Sequence, residues 1–203
     1  MKKSKAILMV VCAMLLVAAS VMGTLAYLTS TASVTNTFSV GQVVITMDEA
    51  KVDEYGNPVL DENHNPVPRV TTNNYKLVPG HTYKKDPTIH VQPQSENCWV
   101  FVRIENGLGA KATLNMNSKF KPLFVDNTHV EDVYYYETIV NYNDAVTDLR
   151  VFSDFTFAND ANPETYKNAN IKVTGYAIQA DGFGTAEAAW KASGFGTTGS
   201  TAG

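Results

Sequence analysis

The stretch Cys98–Ile104, with the sequence CWVFVRI, decides the fold. Successive side chains of a β-strand point to opposite sides of the sheet, so alternate residues share a face. One face then carries a Cys, two Val and an Ile, and the other face carries Trp99 and Phe101. A strand that is apolar on both faces is usually buried on both. We therefore predict that Cys98–Ile104 is a central strand with a packed layer on each side.

Segments rich in β-branched and aromatic residues recur along the chain, separated by clusters of Asn, Asp, Gly and Pro. Short strands at such spacing are typical of an antiparallel, all-β sandwich. The segment Gly107–Asn127 is ambiguous and is compatible with a short helix or an irregular crossover. We predict further strands at Asp86–Val91, Val133–Val140, Leu149–Phe157 and Ile171–Ile178.

One short helix is predicted near the C-terminus, at Thr185–Ala192. The hydroxyl of Thr185 can cap the first turn by accepting a hydrogen bond from a backbone N–H group. Phe183, Ala186 and Trp190 are spaced so that they lie on one side of the helix. We expect this side to dock on the sandwich.

The N-terminus has the pattern of an export signal. Residues 1–5, MKKSK, are basic, and the run from Ala6 to Met22 carries no charge. Thr24-Leu25-Ala26 then offers small residues at the −3 and −1 positions, which signal peptidases require. We predict cleavage after Ala26, with Tyr27 as the second choice. The alternative is an uncleaved segment that holds the protein in the membrane, since this run is just long enough to span a bilayer.

The segment Tyr27–Val40 alternates with period two. Every odd-numbered position holds a hydroxyl-bearing residue, and most even-numbered positions are apolar. This pattern predicts a long, half-buried strand, and a change of phase at Gly41 predicts a β-bulge at its end. Signal cleavage would free the strand at the start of the mature chain, so we expect it to act as a donor strand that pairs with a neighbouring copy. The alternative is pairing within its own domain as the first strand. The apolar face consists of Leu28, Ala32, Val34 and Phe38.

A polar repeat of eight residues lies between these strands. The sequences DEYGNPVL, residues 53–60, and DENHNPVP, residues 61–68, match at five positions. Their Gly, Asn and Pro residues are turn formers, which predicts a surface excursion over residues 51–74. The alternative is a calcium loop, because Asp61, Asn63 and Asn65 have the spacing at which an EF-hand loop begins. Pro66, however, occupies the position where that loop needs Gly.

The balance of charge excludes one class of partner. The chain has 16 Lys and Arg residues against 20 Asp and Glu residues, and three of the lysines precede the cleavage site. A protein that binds nucleic acid normally shows a basic balance and a basic patch. We therefore expect no nucleic-acid partner, and contact with a membrane only through the uncleaved signal segment.

The sequence contains no recognisable catalytic motif or cofactor motif. Its four histidines do not form a local zinc-binding pattern, and no nucleophile elbow or phosphate-binding glycine loop is present. We therefore expect no enzyme activity, no cofactor and no metal site formed by neighbours in sequence. The four histidines are His64, His81, His90 and His129.

Two cysteines are present, and Cys12 lies inside the apolar N-terminal run. The mature chain would keep only Cys98, so an internal disulfide is excluded. We interpret Cys98 as a small buried hydrophobe, because its neighbours are apolar. The alternatives are an intermolecular bridge and a reactive thiol.

Several motifs resemble the TasA/camelysin family of exported Gram-positive proteins. The resemblance lies in Gly23–Thr29 after the apolar run, in Asn36–Gly41, and in Leu77–Gly80 followed by Lys84-Lys85-Asp86. The stretch Ala177–Phe183 resembles the C-terminal end of related clostridial exported proteins. Together the resemblance covers about a third of the chain.

This resemblance implies a jelly-roll sandwich, export through an alternate (SipW-type) signal peptidase, and a structural role at the cell surface or in the biofilm matrix. In TasA-type fibres the N-terminal segment of one subunit completes the sheet of the next, so the implied partner is a second copy in a homopolymer. Camelysins are described as metallopeptidases, which gives the alternative of a secreted peptidase. A monomeric cell-surface adhesin is a further alternative.

The domain organisation follows from these patterns. We predict four parts, which are a signal peptide, an N-terminal donor strand, a sandwich domain that carries the polar excursion, and a flexible tail of Gly, Ser, Thr and Ala. Their bounds are residues 1–26, 27–40, 41–193 and 194–203.

Overall fold

A computed structural model describes Met14, residues 42–141 and residues 147–195. Residues 42 onward belong to the unit Val40–Gly203. They form ten strands and one α-helix, together with 3-10 helices at Gly109–Lys111 and Pro163–Tyr166. The elements are β1 (Ile45–Asp48), β2 (Thr82–Lys84), β3 (Thr88–Val91), β4 (Cys98–Asn106), β5 (Ala112–Met116), β6 (Phe120–Val125), β7 (Thr128–Tyr136), β8 (Asp148–Arg150), β9 (Phe152–Phe157), β10 (Ile171–Gln179) and α1 (Ala186–Ser193).

The first layer is an antiparallel sheet of four strands in the order β10-β4-β7-β6. Strand β4 pairs with β10 over nine consecutive residues and with β7 on its other side. The prediction of a central strand at Cys98–Ile104 is confirmed, because β4 is inside this sheet and is buried on both faces.

The second layer consists of two sheets of three strands, β1-β3-β8 and β2-β9-β5. They are joined by backbone hydrogen bonds, since the N–H of Val151 donates to the carbonyl of Pro87 at 2.8 Å. We predicted a single strand at Leu149–Phe157, but it is interrupted at Val151. Pro87 has no N–H to donate, so the ladder cannot run unbroken past it. The same interruption moves the start of the predicted strand Asp86–Val91 to Thr88.

Most of the core lies between the two layers. Alternate β4 residues Val100 and Val102 face Ile89 of β3 and Leu149 of β8 there, all at most 2% exposed. The opposite face of β4 packs Phe101 against α1. The molecule is therefore an all-β sandwich of the jelly-roll-like, antiparallel kind that was predicted, with one short helix at its C-terminal end.

The helix docks as its apolar spacing predicts. The Thr185 hydroxyl accepts from the N–H of Ala188 at 3.2 Å, and Gly194 ends the helix in the left-handed conformation. Ala186 and Trp190 are buried against Phe101. The predicted bounds differ from the observed ones by one residue, because Thr185 is the cap rather than the first helical residue.

For the ambiguous segment Gly107–Asn127, we expected a short helix or an irregular crossover, and most of the segment is instead in strands. It contains the short 3-10 helix and strands β5 and β6, and β6 forms a hairpin with β7. Asp126 and Asn127 form its two-residue turn, and both have positive φ. Such a turn matches the twist of paired strands. Because of this turn, β7 begins at Thr128 rather than at the predicted Val133. Val140, the predicted end of that strand, forms only an isolated bridge to Cys98.

The polar excursion is built from two copies of one turn. Asp53 Oδ1 accepts from the N–H groups of residues 55 and 57, and Asp61 Oδ1 accepts from those of residues 63 and 65. The copies stack, because the N–H of Val59 donates to the carbonyl of residue 51 and the N–H of Val67 donates to that of Val59. The Asp61 oxygen that a calcium loop would need is thus engaged in holding the turn.

The fourth position of each copy has positive φ, at +82° for Gly56 and +63° for His64. A Cβ atom at Gly56 would lie 2.9 Å from the N atom of Lys84 and the Cα atom of Tyr83. We expect Gly56→Ala to lower the free energy of unfolding by about 2 kcal/mol, through backbone strain and this contact. Urea denaturation measures the change.

His64→Ala is the matched control. This position already carries a side chain at positive φ and is exposed, so its replacement should change stability by no more than about 0.5 kcal/mol. Equal losses in the two variants would show that contact with β2 does not restrict Gly56.

Candidate functional site

The residues that the sequence singled out for function fall at the N-terminus. The cleavage positions Ala26 and Tyr27 lie outside the described residues. The same holds for the apolar face of the predicted donor strand, Leu28, Ala32, Val34 and Phe38. The structure instead describes the surface on which such a strand could act.

Strand β10 is the longest edge of the sandwich. It pairs with β4 on one side, and no other described strand pairs with its second side. Its nine residues keep a single register with β4, without Pro and without a bulge. A long edge of this kind presents unpaired backbone groups that can template another strand.

The other edges carry features that hinder pairing. Strand β6 contains Pro122, which has no N–H to donate, and β5 has a register shift between Leu114 and Met116. Strand β1 has only four residues, and its end is bridged by the excursion at Glu49 and Val70. Among the described strands, β10 alone is both long and without such a feature.

A groove of about 970 Å³ opens beside the start of β10. Its walls include the end of β1 and the chain between residues 71 and 77. Apolar side chains of the sandwich interior are reached from this groove. They include Met47, Leu108, Phe155, Ile171 and Val173.

One wall of the groove carries a buried ion pair. Lys85 Nζ lies 2.6 Å from Glu49 Oε2, and the two side chains are 12% and 5% exposed. The amide of Asn73 donates to the other carboxylate oxygen at 3.1 Å. Burial raises the pKa of the nearby Tyr75 hydroxyl, which donates to the carbonyl of Lys84. The polar groups of this wall therefore have hydrogen-bond partners within the protein. The apolar side chains that line the groove are the ones that can make apolar contact with another segment.

The four histidines are placed apart from one another. His64 is in the second repeat turn, His81 Nε2 lies 2.8 Å from the carbonyl oxygen of Tyr55, and His129 packs beside the Phe124 ring. His90 lies between two carboxylates. Among the described residues, no group of three or more His, Cys, Asp or Glu side chains is arranged to hold a metal ion.

Cys98 is fully buried in the central core. Burial raises the pKa of its thiol to about 11, so very little reactive thiolate is present near neutral pH. This placement agrees with the interpretation of Cys98 as a small hydrophobe.

Cys98 should therefore be protected from alkylation in the folded chain. We expect iodoacetamide to label Cys98 at least about a hundredfold more slowly in buffer than in 6 M guanidinium chloride. Burial raises the pKa of the thiol to about 11 and also blocks access of the reagent. Mass spectrometry of timed samples measures both rates. Rapid labelling of the folded protein would show that this thiol is accessible.

The position of β10 at an edge could not be read from the sequence. The sequence pattern predicts a strand at Ile171–Ile178, but strand order depends on pairings between residues far apart in the chain. The one local signal was its composition, which lacks Pro and has a single charged residue, Lys172.

No protein-family model, curated protein or solved structure matches the chain. Within the described part of the chain, no helix is long and apolar enough to cross a membrane.

Proposed function

We propose that this is a secreted structural protein of the cell surface or biofilm matrix, which forms fibres by donor-strand pairing between copies. Segment 27–40 of one copy lies along the outer edge of β10 in the next. The observation that carries the proposal is the combination of a long edge, with which no second described strand pairs, and a groove that leads to the core.

The donor segment is long enough to cover the acceptor edge. Strand β10 has nine residues, which span about 27 Å from the first to the last at the usual rise of a strand. The apolar face of the donor runs from Leu28 to Phe38, or about 34 Å by the same rise. A donor beside β10 would extend the four-stranded sheet and turn its apolar side chains towards Ile171 and Val173.

The energetics favour pairing by the apolar face. Each large apolar side chain that leaves water contributes about 1.5–3 kcal/mol. The backbone ladder adds affinity, and the pockets for alternate side chains set the register. The opposite face of the donor carries hydroxyls, which remain compatible with solvent. Because donor and acceptor are different surfaces of one chain, the contact does not close on itself and propagates a filament.

Export is the first testable part. We expect the secreted chain to begin at Tyr27, or at Leu28 if the second cleavage site is used, because small residues precede the first bond. Intact-mass spectrometry of the culture supernatant gives the N-terminus directly. An intact Met1 in the membrane fraction would contradict cleavage and support the membrane-anchored alternative.

Assembly is the second testable part. In the mature chain, Val34→Lys should abolish sedimentable fibres, because it places a charge on the apolar face of the donor. Thr35→Lys is the matched control, since it puts the same charge on the hydroxyl face, and it should still assemble. Ultracentrifugation and electron microscopy of the mature chain measure both.

Deletion of Tyr27–Asn36 separates donation from internal pairing. A truncated chain that folds but stays monomeric supports donation, and one that forms normal fibres contradicts it. Failure of the monomer to fold would indicate an intramolecular first strand. A mature chain that never polymerises would favour a monomeric adhesin, and casein cleavage that stops with a chelator would favour a metallopeptidase.

A further inference from the structure

His90 connects three strands on the outer face of the second layer. Its ring lies on β3, with Nδ1 2.8 Å from Asp148 Oδ1 on β8 and Nε2 2.9 Å from Asp48 Oδ1 on β1. The ring is about one-fifth exposed, so the contacts are partly sheltered from solvent. A single side chain thereby ties the edge strand β1 and the strand β8 to the strand between them.

This geometry needs two protons on the ring. A neutral imidazole has one N–H group and can donate to one of the two carboxylates, whereas an imidazolium donates to both. Loss of a proton would leave a lone pair of the ring facing a carboxylate oxygen, which is repulsive. The arrangement therefore favours the charged form of His90.

Other charged groups act on the same cluster. Arg69, from the excursion, donates through Nε to Asp48 and through Nη1 to Asp86 at 3.3 Å. Arg150, on β8, is opposite Thr88 in the register, two residues from Asp148. Among the described contacts, the carboxylates of Asp48, Asp86 and Asp148 are bound by His90 and Arg69. Loss of the His90 proton would leave Arg69 as the cation in direct contact with this group, with Arg150 nearby on β8.

Besides His90 and the backbone ladder to β3, strand β1 is held on this face by two side chains. Arg69 donates to Asp48, and the side-chain amide of Gln92 donates to the Thr46 hydroxyl at 2.9 Å. Strand β1 has four residues and follows the predicted donor segment after a short link. Its last two residues, with the following Glu49, form part of the groove wall. A change that loosens β1 would therefore affect both the chain that follows the proposed donor segment and the groove.

We propose that His90 is a proton-operated latch that holds edge strand β1 on the sandwich and releases it when the ring becomes neutral. The latch acts within each subunit, so it does not depend on the proposed fibre, but it would make assembly sensitive to pH.

The direction of the pH effect follows from the contacts. Partial burial opposes the charge on His90, but the hydrogen bonds to Asp48 and Asp148 outweigh it and raise its pKa above the ordinary value. The stabilisation is then complete below the unfolded pKa and is lost as the pH rises through the folded pKa. Burial also opposes the charge on Asp48, but Arg69 and His90 lower its pKa, so this side of the latch persists in mild acid.

Hydrogen exchange of the mature chain tests the latch. We expect the protection factors of the β1 amides and of Ala50, whose N–H donates to Asp86, to fall as the pH rises through the folded pKa of His90, which lies above the ordinary value for histidine. The fall should be about tenfold for each pH unit by which the folded pKa of His90 exceeds the unfolded one. Amides of β4 should keep their protection. The readout concerns β1 inside a subunit, whether or not subunits assemble.

Variants assign the effect to the ring. His90→Gln should abolish the pH dependence at β1, and Asp148→Asn should shift it to lower pH because one carboxylate charge is removed. His129→Gln, on β7, is the matched control and should leave the dependence unchanged.

The wild-type chain provides an independent check if His90→Gln does not fold. The midpoint of the loss of protection should coincide with the His90 titration followed by NMR of its ring protons. A wild-type β1 whose protection does not vary with pH, a different midpoint, or unchanged behaviour in His90→Gln would each overturn the proposal.

Discussion

Strand β4 must be covered on both faces, because Val100, Val102 and Ile104 lie on one face and Trp99 and Phe101 on the other. Each large apolar side chain that is buried contributes about 1.5–3 kcal/mol. One face is covered by the second layer and the other by α1. The flanking strands β10 and β7 complete its backbone hydrogen bonds, as a buried strand requires. The need to cover both faces of β4 accounts for the two-layer arrangement, the docking of the helix and the burial of Cys98.

The sequence predicted what depends on local pattern. The central strand and the sandwich class could be predicted because alternation of apolar residues is visible within a few positions. The capped helix could be predicted because Thr185 and Trp190 are close together in the sequence. The hairpin at Asp126-Asn127 was missed although its turn is local, because Asp-Asn is a weaker turn signal than Asn-Gly or Asp-Gly. The break at Val151 was missed because its cause, Pro87, is 64 positions away in the chain.

The candidate site shows the same limit more strongly. The proposed donor can be read as a pattern in Tyr27–Val40, since period two is a local property. The proposed acceptor depends on which strand lies at the edge, and that follows from pairings such as Ile171 with Asn106. The His90 contacts likewise join residues 42 and 58 positions apart. The spacing of residues in a single sequence does not predict contacts between groups that are so far apart in the chain.

The stacked repeat has a consequence for how this chain can vary. Each eight-residue turn is held by its own Asp, and the second turn is linked to the first by one backbone hydrogen bond. The first turn lies close against β2 at Gly56. A third unit inserted after the second could stack on the second in the same way as the second stacks on the first. The excursion is thus an extensible spacer whose length changes in steps of eight residues, and homologous chains that differ in length there should differ by whole units.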